Sequence, residues 1–241
     1  MNIVMPMAGR GSRFVEVGVT VPKPLISVLG RPMYTWAMDA LPLEQATKVI
    51  FLCLAEHLED LALQQDILQR YGHLNPVVIP VAEVTEGQAC TVLLAEEHID
   101  NDEPLVIFNA DTTCRSNLTD VLAERPDAAG VISVFSAPGD KWSFARLDDD
   151  GRVVETAEKV RISGWATTGL YHFSRGRDFV RHAKEMIAED DRVKGEFYVI
   201  PVYNRMLAAG DAIYPEMADD VWVLGTPDDL AHFLDHHPAE S

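Results

Sequence analysis

The chain has 241 residues, 47% of them apolar, and a formal net charge of −18. That length and apolar content suit one large α/β domain or two small ones, while the acidity argues against nucleic acid or an anionic membrane as a partner. Cys53, Cys90 and Cys114 are an odd set without metal-type spacing, which predicts reduced thiols in a cytoplasmic protein, and neither a basic leader nor an apolar run of spanning length is visible.

In chain order, Ile3-Val4-Met5 predicts a buried strand that breaks into Ala8-Gly9-Arg10-Gly11-Ser12-Arg13-Phe14, followed by Pro22-Lys23-Pro24-Leu25. Two glycines let backbone come close to a ligand, and Arg13 and Lys23 add positive charge, so the loop predicts a polyphosphate site. Prolines on both sides of Lys23 lower the entropy lost in holding its amine. A dinucleotide loop is not matched, because Phe14 stands at the third-glycine position and the stretch up to Pro24 reads as loop rather than helix. The Walker lysine spacing is absent as well.

Met33, Trp36, Ala37, Ala40 and Leu41 mark one face of a helix, with Pro32 in its first turn and Pro42 at its end. The Met33-Tyr34-x-Trp36 face can serve as core or as the interface of a homo-oligomer. Val49 to Leu54 predicts an interior strand. Residues 56–71 read as one helix with Leu58, Leu61 and Leu68 on a face, and Pro76 to Val81 as a strand. Thr85-Glu86-Gly87-Gln88-Ala89 opens a helix to about His98, and the strand from Pro104 to Ala110 ends at Asp111. This alternation predicts a doubly wound α/β sheet with right-handed crossovers. Ligands bind such sheets beyond the carboxyl ends of the strands, where the glycine loop and Asp111 both fall.

The second half changes character. A strand from Ala129 to Phe135 precedes a hairpin signalled by Asp148-Asp149-Asp150-Gly151 between alternating runs. Thr167 to Phe173 is a further strand, and helices follow near 176–188 and 196–209, the second capped by Gly210. Short strands at 213–214 and 221–224 lead to a last helix with Thr226 as its cap and Pro227 at its first position. His172 in its apolar strand reads as structural, and His236, His237 and Pro238 as a ragged tail. No linker interrupts the chain, which predicts a single domain over residues 1–241.

Taken together, Gly9-x-Gly11-x-Arg13, Pro22-Lys23-Pro24-Leu25 and Gly30-x-Pro32-Met33 resemble the signature of the nucleoside-triphosphate transferases, the sugar-1-phosphate nucleotidylyltransferases. The resemblance extends through Thr85 to Ala89, Asn109-Ala110-Asp111, Asp150-Gly151-Arg152-Val153 with Glu158-Lys159, Thr168-Gly169-Leu170-Tyr171, Gly195-Glu196-Phe197-Tyr198 and Trp222 to Pro227. It implies a Rossmann-like three-layer αβα nucleotide-diphospho-sugar transferase fold with a mixed, mostly parallel central sheet. It also implies that a sugar phosphate attacks an NTP, more readily a pyrimidine nucleotide, and releases pyrophosphate. Residues 1–115 would then mainly bind the NTP and residues 116–241 the acceptor.

By the same resemblance, Met7, Ala8, Gly9, Gly11 and Ser12 would surround the triphosphate, and Thr85, Gly87 and Gln88 the base and ribose. Arg13, Lys23 and Asp111 would be catalytic, with Asp111 holding Mg²⁺. Asn109, Lys159, Gly169 and Glu196 would bind the acceptor. Many members carry a second metal aspartate in W-x-D-x-G-T, but here Trp222-Val223-Leu224-Gly225-Thr226 has no acid; the sequence offers Asp219 or Asp220 as substitutes, with Asp220 the chosen candidate, or else one protein carboxylate and the phosphates would hold the metal. The family makes activated sugars, among them precursors of capsule and other surface polysaccharides. No segment resembles the C-terminal β-helix of bifunctional members, so acetyl transfer is not expected. Three alternatives stay open: cytidylyl transfer to a non-sugar phosphate such as phosphocholine or glycerol phosphate, a related-fold glycosyltransferase, and a non-catalytic nucleotide-binding regulatory subunit. The glycosyltransferase usually needs a D-x-D, which Asp111-Thr112-Thr113 lacks.

Overall fold

The computed structural model describes residues 1–59 and 62–237. The first half runs β1 (Asn2–Met7), α1 (Ser12–Glu16), the short ribbon β2 (Ser27–Val28) and β3 (Arg31–Pro32), α2 (Met33–Met38), β4 (Lys48–Leu54), α3 (Ala55–Leu58), α4 (Ala62–Tyr71), β5 (Val77–Val81), α5 (Gln88–Leu93), α6 (Glu96–Ile99), β6 (Leu105–Ile107) and β7 (Thr112–Arg115). The second half runs α7 (Leu118–Glu124), β8 (Gly130–Ser136), β9 (Ser143–Leu147), β10 (Val153–Glu158), β11 (Trp165–Phe173), α8 (Gly176–Ala188), α9 (Ile200–Ala208), β12 (Ile213–Met217), β13 (Asp219–Val223) and α10 (Pro227–His236).

One sheet passes through both halves. β5, β4, β1 and β6 are parallel neighbours, and β12 is parallel to β8. Between β6 and β8 lies β11, antiparallel to both. The main sheet is therefore mixed and mostly parallel, with β11 and the edge strand β10 reversed. The β9–β10 hairpin attaches at the start of β11, where Trp165 and Ala166 pair with Ala145 and Phe144. The Asp148–Gly151 turn closes it, with Gly151 at φ 77°, as the Asp-Gly signal predicts.

Side chains along each strand alternate between two apolar layers. Val4, Ile50, Leu52 and Leu54 pack with Val92, Phe179, Val180 and Tyr203 of α5, α8 and α9. Ile3, Met5, Val49, Phe51 and Cys53 pack with Tyr34, Ala37, Leu63, Ile67 and Leu118 of α2, α4 and α7. Helices thus cover both faces, and the three-layer αβα arrangement follows from period-two apolar strands. All three cysteines are free. Among the described residues no helix is long and apolar enough to cross a membrane.

Several elements differ from the sequence reading. The single helix over 56–71 is two, α3 and α4, and its buried stripe is Leu63, Ile67 and Tyr71, while Leu68 is exposed and Leu61 lies outside the described residues. Residues four apart share a helix face, so 63, 67 and 71 make the better stripe. The helix to His98 is likewise two short ones, α5 and α6. The helix expected from 196 begins only at Ile200, because Val193 and Glu196 close a tight bridge first. Met33, Tyr34 and Trp36 are all buried, so their face is core rather than an exposed interface. α2 lies between two clusters, which explains apolar residues around its whole circumference. His236 ends α10 rather than lying in a tail, and His237 packs against Phe233 and Trp36; Pro238 lies outside the described residues.

Candidate active site

Two cavities open at the carboxyl ends of the parallel strands, of about 430 and 500 Å³. Lys23, Asn109 and Asp111 line both. At this shared wall Lys23 Nζ donates to Asp111 Oδ2 at 2.5 Å. The chain supplies the pair from two strand ends: Lys23 from the turn that follows the β1 loop, and Asp111 from the break between β6 and β7. Gly225 keeps the space beside the carboxylate open, since a Cβ there would stand 3.1 Å from Asp111 Oδ2.

Loops at the ends of β1, β5 and β6 line much of the first cavity. Met7, Ala8 and Gly9 line it, with Thr85, Gly87 and Gln88 opposite. Gly87 has φ 141°, and a Cβ on it would fall within the backbone of Phe197. The loop is stitched there by Phe197 N donating to Glu86 O at 2.9 Å and Ala89 N to Phe197 O at 3.0 Å. The Gln88 amide donates to Asn109 Oδ1 at 2.6 Å, tying this loop to the shared wall. Gly11 and Ser12 line neither cavity. Gly11 sits at φ 65° ahead of α1, where a Cβ would stand 2.9 Å from Lys23 Cβ, so its missing side chain makes room for the lysine. The loop is followed at once by α1, a five-residue helix, contrary to the loop-like reading of this stretch. Buried Phe14 pins that helix to a small cluster with Ile26 and Met33, which substitutes packing for the missing third glycine.

The second cavity draws on β9, β10 and β11 as well as on loops. Arg13, Thr112, Gly225, Asp228 and Asp229 surround the Asp111 side. Arg13 is exposed and has no carboxylate partner among the described residues, which leaves its guanidinium available to a phosphate. Phe135, Lys141, Trp142, Ser143, Glu158, Gly169 and Tyr171 complete the wall. Gly169 has φ 90° in the irregular middle of β11, and a Cβ on it would fall inside the Asn109 amide. Buried Glu158 accepts from Ser143 Oγ, and burial pushes its carboxyl above the usual range against the opposing effects of Ser143 and Lys159.

Three expected placements change. Asp220 lies apart from Asp111: it accepts from Trp222 Nε1 at 2.8 Å and lines a separate cleft with Asp39 and Arg115. The bulge between Asp219 and Trp222, with Asp220 at φ 50°, turns the side chain that way. Glu196 lines the first cavity rather than the second, because it belongs to the segment stitched to the Gly87 loop. Lys159 lines neither. Its amine donates to the Tyr198 hydroxyl and lies 3.9 Å from Glu158. Burial works against that charge, but Tyr198, Glu158 and Glu196 outweigh it and hold the amine above its ordinary value. Trp142, Ser143 and Asp229 were not singled out from the sequence. An indole beside a lysine ahead of a strand was the available signal, and Glu158 was visible only inside its motif.

The sequence model of the family described as nucleotidyl transferase matches residues 2–238. The UTP–glucose-1-phosphate uridylyltransferase AglF of Haloferax volcanii is 27% identical over 95% of this chain and 93% of its own length. The mannose-1-phosphate guanylyltransferase catalytic subunit beta of Danio rerio is 28% identical over 72% of this chain and 50% of that protein. Among solved structures, a nucleoside-diphosphate-sugar pyrophosphorylase of Vibrio cholerae superposes with a TM-score of 0.84 at 29% identity, covering 97% of this chain and all of the other.

Proposed function

The chain belongs to the nucleotidyl transferase family, and from that premise we propose that it joins a nucleoside triphosphate to a sugar 1-phosphate, giving a nucleoside diphosphate sugar and pyrophosphate. The observation that carries this reading is the pair of cavities meeting at Lys23 and Asp111. A nucleotide in the first cavity would bring its α-phosphate to that wall, and an acceptor in the second would bring its phosphate to the other side.

In the reaction an acceptor phosphate oxygen forms a bond to the α-phosphorus, the bond to the bridging oxygen breaks, and that oxygen leaves with its electron pair on pyrophosphate. Two polyanions must approach in line, so the protein's task is charge neutralisation and positioning. Lys23 would bridge the reacting phosphates, Arg13 would steady the departing pyrophosphate, and Lys159 would reach the acceptor phosphate. Backbone at Ala8 and Gly9 would approach the triphosphate, with Thr85, Gly87 and Gln88 at the base and ribose.

Asp111 would hold Mg²⁺. Among the described residues no three metal-ligating side chains converge, and Mg²⁺ commonly takes one or two carboxylates and fills its shell with phosphates and water. One carboxylate in a space that Gly225 leaves open fits that donor set. When bound, the ion would offset negative charge on the phosphates. A pyrimidine base, a surface-polysaccharide product and a cytoplasmic site belong to the same proposal.

The test is pyrophosphate release from a matrix of UTP, CTP, dTTP, GTP and ATP against glucose, mannose and glucosamine 1-phosphates with Mg²⁺, with phosphocholine and glycerol phosphate included. Release with at least one sugar 1-phosphate supports the reading. Release only with phosphocholine or glycerol phosphate, or with no pair, rejects it.

A further inference from the structure

Lys23 and Asp111, whose proposed ligands are a phosphate and Mg²⁺, hold each other. The contact is 2.5 Å, and the two side chains are only 20% and 29% exposed. The lysine is aimed at it from behind. Prolines frame its backbone, and its stem runs past Gly11, where a Cβ would stand 2.9 Å from Lys23 Cβ and 3.5 Å from its Cγ and Cδ. Among the described residues no other carboxylate lies within ion-pair distance of this amine, and no other cation within that distance of Asp111. No second acid completes a metal site either. Val223 and Gly225 line this side of the cavity, and Asp229 is engaged by Lys141 at 3.3 Å and by the Thr226 hydroxyl at 2.7 Å. No three metal-ligating side chains converge among the described residues.

A divalent cation arriving alone therefore has to displace an ammonium from a single carboxylate. It exchanges one charge-assisted contact for another and gives up hydration that Mg²⁺ sheds reluctantly. A triphosphate changes that balance, because its oxygens offer the lysine other acceptors and offer the cation the ligands that the protein lacks. Arg13, with no carboxylate partner among the described residues, needs no such release. We propose that the Lys23–Asp111 pair is a latch that keeps this carboxylate closed to a divalent cation until a triphosphate draws the lysine away, so that cation and nucleotide enter together and each raises affinity for the other. The inference rests on the nucleotidyl-transfer reading and adds to it how the site is loaded.

Mn²⁺ is the probe, its binding followed by electron paramagnetic resonance of the free ion with no nucleotide present. The latch lowers the apparent affinity of unaltered protein by the fraction of molecules in which the carboxylate is open. Lys23→Met, which keeps the stem and removes the charge, is expected to bind Mn²⁺ at least about tenfold more tightly, and Lys23→Met/Asp111→Asn to lose that gain. Arg13→Met removes a cation from the same cavity but no partner of Asp111, and is expected to change the affinity less than about threefold. Equal affinity in unaltered protein and Lys23→Met, or an equal gain in Arg13→Met, overturns the latch. Should Lys23→Met fail to fold, Asp111→Asn alone decides: without nucleotide it is expected to bind Mn²⁺ within about threefold of unaltered protein, and with the α,β-methylene analogue of an NTP at least about tenfold more weakly, read by water-proton relaxation. A tenfold loss already present without nucleotide, or no loss with it, overturns the latch. Pyrophosphate release beside a failed latch leaves nucleotidyl transfer standing. A tenfold gain in Lys23→Met that Asp111→Asn abolishes, with no pyrophosphate from any substrate pair, leaves the masked carboxylate standing and defeats the transfer reading.

Discussion

The first cavity is lined mainly by loops at the ends of parallel strands, and the second adds residues of β9, β10 and β11. In the first, the constraints are missing side chains: Gly87 against Phe197 and Gly11 against Lys23. In the second they are substitutable groups such as Trp142, Ser143 and Glu158. In the proposed assignment the triphosphate, alike in every nucleotide, meets the side constrained by glycines, and the acceptor meets the side with substitutable groups. The two designs meet at the Lys23–Asp111 pair.

The largest effects are expected at the meeting point. Lys23→Ala and Asp111→Ala should each lower kcat at least about a hundredfold, the scale of losing one electrostatic stabiliser. Steady-state kinetics with each substrate varied check this, and near-normal kcat in either variant would remove the shared wall from the chemistry. Next comes a test of the side constrained by glycines. Gly87→Ala forces a Cβ into Phe197, and should raise KM for the nucleotide about tenfold or more while KM for the acceptor changes little. The mirror image is Glu158→Gln, expected to raise KM for the acceptor several-fold and leave that for the nucleotide unchanged. If both variants shift both constants equally, the division of labour is wrong.

β11 carries a stability test of its own. His172 is buried there, and desolvation lowers its pKa from 6.5 to about 4. The unfolded chain therefore takes up a proton between these values while the native state does not, so stability present above pH 6.5 is lost as pH falls toward 4, by up to about 3 kcal/mol. Buried Glu158 and Glu216, whose carboxyls are raised by burial, act in the opposite sense. Urea titrations of the protein and of His172→Gln across this range isolate the histidine, and equal slopes would contradict its assignment. The smallest effect is expected at Asp220, turned away toward Trp222. Asp220→Asn should leave turnover within about twofold, and a hundredfold loss would return it to the metal site.

This contrast also explains what was legible beforehand. Glycines at left-handed or crowded positions, a proline-framed lysine and an acid after four apolar residues are written locally, and the apolar strands with their alternating layers follow from period two alone. The place of Glu196 in the first cavity depends on hydrogen bonds between Glu86, Phe197 and Ala89, a contact between distant segments. The contact of Asp220 with Trp222 follows from an irregularity of β13 that no local spacing signals. Trp142 was missed because its wall exists only once β9 has joined β11.

In the proposed reaction two substrates meet across one wall, and product stoichiometry is the decisive measurement. Phosphorus NMR of a mixture of NTP, hexose 1-phosphate, Mg²⁺ and protein is predicted to show pyrophosphate and nucleoside diphosphate sugar rising together, one for one, with neither forming when the acceptor is left out. Pyrophosphate appearing at the same rate without acceptor, accompanied by free nucleoside monophosphate, would contradict the account.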